Sequence, residues 1–182
     1  TLFFRITAAV AALKDRYSFE FIFVDDGSTD KSLEIAKGIS QKESRLKIVE
    51  LRKNYGQTAA LQAGFDAARG DIIITMDADL QHSPEEMPLF LAKIEEGSDL
   101  VCGWRHHRAE GIIRRWPSQA ANFLLRLVSG LTVKDIGTTY RAYRKEIMAD
   151  FRLLAENHRF IPIFAKQAGA RIGEVEISNV ER

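Results

Sequence analysis

Two acidic clusters hold the residues whose types and spacing could do chemistry: Asp25-Asp26, and Asp77-Ala78-Asp79 with Gln81 following closely. Each cluster comes directly after an apolar run, Phe19–Val24 for the first and Ile72–Met76 for the second. Carboxylates set side by side repel one another unless a cation or hydrogen-bond donors offset the charge. Residues two apart in extended backbone point to the same side, so Asp77 and Asp79 would present both carboxylates to one ion. A hard divalent cation such as Mg2+ or Mn2+ takes one or two carboxylates, keeps several waters and completes its shell with substrate phosphates. Gln81 adds a neutral oxygen one further step along. The metal-ligand candidates are therefore Asp77, Asp79 and Gln81.

Charge outside these clusters is segregated. Residues 71–100 carry eight acids against Lys93 alone, a net of −7. Residues 104–126 carry Arg105, Arg108, Arg114, Arg115 and Arg126 against Glu110, a net of +4. An acidic stretch followed by a basic one reads either as two solvated faces or as a cation site beside an anion site. Over the whole chain, 26 Lys+Arg against 25 Asp+Glu leave +1, which gives no bulk attraction to nucleic acid.

The elements that must position these residues alternate between helix and strand. Leu2, Phe3, Ile6, Ala9, Val10 and Leu13 recur at helical spacing, which predicts a helix over Thr1–Lys14. Phe19–Val24 reads as a buried parallel strand, and Asp30 can cap the helix that follows. Leu46–Leu51 is the next strand, Gly56–Arg69 a helix with small residues along one side, and Asp71–Met76 a strand. Ser83-Pro84-Glu85-Glu86 has the form of a capping box, with Pro88 disturbing the first turn and Gly97 ending the helix. Strands over Asp99–Gly103 and Thr138–Tyr143, helices over Ser118–Ser129 and Arg159–Gln167, and an edge-like strand over Arg171–Ile177 complete the pattern. Alternation with short links predicts a three-layer α/β/α sandwich around a mostly parallel sheet, Rossmann-like in its winding. In such sheets ligands sit beyond the carboxyl ends of the strands, where both acidic clusters fall.

Composition bounds the class. The 182 residues correspond to one domain, and 46% apolar with 28% charged residues are globular proportions. The single cysteine, Cys102, excludes an intrachain disulfide and suits a reducing compartment. No apolar run approaches the roughly 20 residues of a membrane span, and the opening segment, interrupted by Arg5, does not read as a signal peptide.

Three chemistries place acids at strand ends. A phospho-receiver needs a lysine at a later strand end, whereas Asp99–Gly103 runs into Trp104-Arg105. A haloacid-dehalogenase-type phosphatase needs Asp-x-Asp-x-Thr, whereas Asp79 is followed by Leu80-Gln81. A sugar-nucleotide transferase needs a carboxylate near the base, a metal on the diphosphate and cations for the acceptor, which matches both clusters and the arginines. The blocks VDDGSTDKS (24–32), GDIIITMDADLQHSPEEM (70–87), GWR (103–105), the Arg114, Ser118, Asn122 spacing, DIGTTYRAYRKE (135–146) and HRFIPIFAKQAGARIGEVEI (158–177) then carry a resemblance. Together they resemble family-two glycosyltransferases of GT-A fold, and within them the dolichol-phosphate-mannose-synthase-like branch.

That resemblance implies an inverting, metal-dependent transfer of a sugar from a UDP- or GDP-sugar to a polyprenyl phosphate, at the cytoplasmic face of a membrane. It implies that Asp26 contacts the base with Asp25 supporting the loop, and that Asp77, Asp79 and Gln81 surround the Mg2+ or Mn2+ and the diphosphate. Asp135 and Arg114 fall at positions near the reacting groups, and Arg105, Ser118, Arg141, His158 and Arg159 at positions serving the acceptor. It further implies that residues 1–182 are one GT-A domain lacking a first strand and a basic C-terminal segment, and that membrane association resides in such missing parts. Two alternatives stay open: a family-two transferase acting on a saccharide hydroxyl, with Asp135 as base, and a non-enzymatic receiver or nucleotide-sensing module. Trp104 and Trp116 could flank the acceptor loop or simply pack. His82 reads as near the site without being chemical, His106 and His107 as loop residues, and Arg115 and Arg126 as surface or packing residues.

Overall fold

The computed structural model describes residues 2–105, 133–149, 152–153 and 156–178. The helix expected over Ser118–Ser129 and the candidates Arg114 and Ser118 lie outside the described residues.

The chain runs α1 (Leu2–Ala11), β1 (Phe21–Asp25), α2 (Ser32–Ser40), β2 (Leu46–Glu50), α3 (Gln57–Ala67) and β3 (Ile72–Thr75). A 3-10 turn, Pro84–Glu86, leads into α4 (Met87–Glu95), then β4 (Leu100–Arg105), β5 (Arg141–Arg144) and α5 (Lys145–Ala149). A second 3-10 turn, Asn157–Phe160, opens α6 (Ile161–Gln167), and β6 (Ile172–Ile177) follows. β1 and β2 pair in parallel, from Phe21 opposite Leu46 to Asp25 opposite Glu50. The other four strands form a sheet in the order β3-β5-β4-β6. β6 is parallel to β4, as the edge strand expected, while β5 lies antiparallel between β3 and β4.

Strand alternation builds the layers. Leu100, Cys102 and Tyr143 face one core with Phe65 of α3 and Ile161 and Ala165 of α6. Val101 and Ala142 face the other core with Val10 of α1 and Met87, Phe90 and Ile94 of α4. Period-two alternation on β4 and β5 thus feeds two cores, one under each helical layer, and yields the expected sandwich. Burial pushes the Cys102 thiol up to about 11, so it is an unreactive small hydrophobe. Among the described strands β1 has β2 as its one partner and β3 has β5, and Ile72–Thr75 are half-buried throughout.

The capping box does not form. Ser83 Oγ donates to Glu85 Oε2 at 2.8 Å, and its side chain caps no helix N–H. Pro88, lacking an N–H, cannot bond back to Pro84, so the chain makes a 3-10 turn and restarts as α-helix at Met87. The strand expected over Thr138–Tyr143 begins only at Arg141; Thr139 bonds instead to Thr75 and Asp77 at the end of β3, through its carbonyl and its hydroxyl.

Gly103 lets the layers close over β4. A Cβ there would stand 2.7 Å from Ile177 Cδ1, 3.0 Å from the Tyr140 carbonyl oxygen and 3.3 Å from Phe90 Cζ. Gly103→Ala is expected to destabilise the fold by about 1–3 kcal/mol through overpacking, read as a lower urea midpoint with unchanged denaturant slope.

Candidate active site

The site is built from the carboxyl ends of β1, β3 and β4 and the start of α3. At the end of β1, Asp25 is buried; its Oδ2 accepts the Ser28 N–H at 3.1 Å, and its Oδ1 is buried without a partner. Gly27 has φ +75, and a Cβ there would lie 2.7 Å from the Asn54 nitrogen and 2.8 Å from the Lys53 carbonyl carbon. The loop before α3 is therefore pressed against the turn after β1, a close approach that only glycine permits. Asp26 grips that loop, accepting the Tyr55 N–H at 2.7 Å and the Gly56 N–H at 2.9 Å. Gly56, at φ +89, then starts the helix.

The first two residues of α3 reach two other parts of the site. Gln57 Nε2 donates to Asp77 Oδ1 at 2.9 Å. Thr58 Oγ1 and His158 Nδ1 share a buried hydrogen bond of 2.7 Å. The second Asp77 oxygen accepts the Thr139 hydroxyl at 2.7 Å, and the Thr139 carbonyl accepts the Thr75 hydroxyl at 2.6 Å. Sequence reasoning missed Gln57, Thr58, Thr75 and Thr139. The one available signal was that Gln57-Thr58 open a helix straight after Asn54-Tyr55-Gly56, and that Thr139 stands inside a motif block.

Asp77 and Asp79 do not share a side through extended backbone, as the strand ends at Thr75 and the chain turns at 78–80. Asp79 Oδ1 accepts the Gln81 N–H at 3.0 Å, an Asx turn, and Leu80 adopts φ +67. A left-handed leucine costs about 1–2 kcal/mol, so the turn is held by its surroundings. Asp77 is half-buried and Asp79 exposed. Among the described residues no group of three or more His, Cys, Asp or Glu side chains could hold a metal. The turn supplies two carboxylates, and Mg2+ or Mn2+ takes one or two carboxylates and draws its remaining ligands from water and substrate phosphates.

His82 follows this turn and is buried against Tyr140, with ring centroids 5.1 Å apart and its Nδ1 without a hydrogen-bond partner. Burial holds its pKa below the ordinary value, with Asp77 and Asp79 acting to raise it and Arg105 to lower it. Arg105 forms a forked ion pair with Asp135, Nε to Oδ2 at 2.7 Å and Nη2 to Oδ1 at 3.2 Å. Asp135 Oδ1 also accepts the Gly137 N–H at 3.1 Å.

Arg141 is buried, donating from Nη1 to the His158 carbonyl at 3.0 Å and from Nη2 to the Ile136 carbonyl at 2.6 Å. It thus joins two loops inside the fold, a task different from the acceptor contact expected of it. His158 is buried and Arg159 exposed. Burial holds the His158 pKa below its ordinary value, and Arg159 pushes it the same way. The structure therefore connects Asp26, Asp77 and His158 through the start of α3, and pairs Arg105 with Asp135.

Residues 5–152 match the profile of Glycosyl transferase family 2. The chain belongs to that family. Among its family 2 relatives, a dodecaprenyl-phosphate galacturonate synthase of Rhizobium johnstonii is 41% identical over 183 residues, covering 98% of this chain and 54% of the relative. An undecaprenyl-phosphate 4-deoxy-4-formamido-L-arabinose transferase of Pseudomonas fluorescens is 41% identical over 179 residues, covering 98% and 52%. The chain spans about half the length of these curated relatives. Among solved structures, glucosyl-3-phosphoglycerate synthase from Mycobacterium tuberculosis in complex with Mn2+ and UDP-glucose superposes with a TM-score of 0.70 at 20% identity, covering 98% of this chain and 66% of that one. Staphylococcus aureus TarS superposes at 0.60 with 20% identity, covering 94% and 54%. These likenesses bear out the GT-A fold.

Both lowered histidines give the family 2 chain a defined pH dependence. The unfolded chain takes up protons near pH 6.5 while the folded histidines resist them. Their contribution to stability is therefore full above about pH 6.5 and shrinks as pH falls toward the folded pKa values. Urea midpoints should fall from about pH 7.5 to about pH 5.5, and His82→Phe should flatten the slope by up to about 1.4 kcal/mol per pH unit.

Proposed function

We propose that the full-length protein transfers a sugar, with inversion, from a nucleoside-diphosphate sugar to a polyprenyl phosphate. The observation that carries this reading is the Asp77–Asp79 turn at the end of β3, with the Asp77 carboxylate held by the Gln57 amide and the Thr139 hydroxyl. Two relatives at 41% identity, named for sugar transfer to dodecaprenyl and undecaprenyl phosphate, support the acceptor class. A neighbour of the same fold, described in complex with Mn2+ and UDP-glucose, supports the donor class and the cation.

In this reading Asp77, Asp79 and the Gln81 amide hold Mg2+ or Mn2+ against the donor diphosphate. The ion supplies Lewis acidity that offsets charge on the departing diphosphate. Asp26 anchors the loop before α3 and contacts the base from the same position, with Asp25 fixing the turn beneath. The acceptor phosphate is ionised at neutral pH and needs no general base. One of its oxygens bonds to the anomeric carbon as the bond from that carbon to the diphosphate oxygen breaks, and the nucleoside diphosphate leaves with the electron pair.

Cations must offset the approach of one anion to another, and guanidinium forks suit phosphate oxygens. Arg105 is the described candidate, released from Asp135 as phosphate arrives; Arg114, Ser118 and Arg159 complete the acceptor group. Arg141 and His158 act from below by fixing the loops. Residues 1–182 would form one catalytic domain of a longer chain working at the cytoplasmic face of a membrane. No helix among the described residues is long and apolar enough to cross one, so contact with the bilayer would fall to other segments.

The test uses the full-length protein with radiolabelled UDP- and GDP-sugars, Mg2+ or Mn2+, and undecaprenyl phosphate. Label is expected in the lipid fraction, and Asp79→Ala should lower turnover by about a thousandfold, the equivalent of several kcal/mol. Undiminished turnover in that variant would contradict the metal role, and label moving only to an oligosaccharide hydroxyl would contradict the acceptor.

A further inference from the structure

Several acids among the described residues are held by cations. Glu85 pairs with Arg5 at 2.7 Å, Glu43 with Arg45 at 2.8 Å, and Asp99 with Arg171 at 3.1 Å. Asp77 is held differently: one oxygen accepts the Gln57 amide and the other the Thr139 hydroxyl, both neutral. Neutral donors orient a carboxylate without cancelling its charge. Because the terminal torsion of aspartate is broad, one donor on each oxygen is what removes its freedom to swing. A carboxylate oxygen offers two lone-pair sites, so each keeps one for a further partner.

Both donors are themselves fixed. Gln57 opens α3, whose preceding N–H groups are gripped by Asp26, and the Thr139 backbone is tied to the end of β3 by the Thr75 hydroxyl. An acid aimed by neutral, separately anchored donors is arranged as an outer shell arranges a metal ligand.

We infer that Gln57 and Thr139 are positioning residues that aim Asp77 at the cation–diphosphate complex. The inference rests on the metal reading above and adds to it the two side chains that set the affinity of the site. Outer-shell partners of metal ligands are worth about 10–100-fold in metal affinity. Gln57 is exposed, and Thr139, though buried, belongs to neither apolar core, so their loss acts first on the site.

The decisive experiment is Mn2+ titration of the full-length protein with saturating UDP, free Mn2+ being read by electron paramagnetic resonance, with melting temperatures recorded in parallel. Gln57→Leu and Thr139→Val should each weaken Mn2+ binding about 10–100-fold with melting temperatures close to that of the unmodified protein. Thr139→Ser, which keeps the hydroxyl, should restore binding to within about threefold. If Asp79→Ala abolishes Mn2+ binding while Gln57→Leu and Thr139→Val bind as the unmodified protein does, the positioning role is wrong and the metal reading stands. If Thr139→Ser binds as poorly as Thr139→Val, the hydroxyl is not the operative group and the inference fails. An unmodified protein that binds no Mn2+ overturns this inference and the reading beneath it together.

Discussion

Negative charge gathered at the carboxyl ends of β1 and β3 repels itself, and the means by which the chain offsets that repulsion organises the site. Asp25, Asp26 and Asp77 accept hydrogen bonds from backbone N–H groups, an amide and a hydroxyl. The bonds to Asp26 and Asp77 also tie distant segments: β1 to the start of α3, α3 to the end of β3, and the end of β3 to Thr139. The same contacts that make the acids tolerable therefore set the relative positions of the elements around them. Asp135 is the exception, since Arg105 takes its charge. The ion pair neutralises Asp135 at the end of β4.

A second constraint works from beneath. Arg141 is buried on β5, the strand that lies between β3 and β4, and spends two nitrogens on the carbonyls of Ile136 and His158. A buried guanidinium is costly unless its donors are occupied, so the loops carrying those carbonyls are held to it. His158 in turn reaches Thr58 at the start of α3. The aspartate turn thus rests on a frame in which strand, helix and loop are joined by polar contacts, with the apolar cores confined to the two faces of the sheet.

The layered fold was legible because periodicity reports burial. The Ile-rich run became β3, the alternation at 171–177 became the edge strand β6, and Gly97 follows the end of α4 as expected. The antiparallel setting of β5 was not legible, because pairing direction depends on the connection between β4 and β5 and not on the residues of the strand. The acids were found from their place after apolar runs. Their partners were not, because a glutamine or threonine that bonds across 20 or 62 positions leaves no local pattern. The extended geometry assumed for Asp77 and Asp79 gave way for a local reason: an Asx turn competes with strand backbone, and Leu80 takes the left-handed conformation that the turn requires.

The central claim is that the Asp77–Asp79 turn binds a divalent cation that in turn binds a diphosphate. The most direct measurement is anomalous diffraction from crystals of the full-length protein grown with Mn2+ and UDP. The account predicts an anomalous peak within about 2.3 Å of an oxygen of Asp77 or Asp79 and bridged to the diphosphate. A diphosphate seated elsewhere, or a peak with neither aspartate as a ligand, would contradict it.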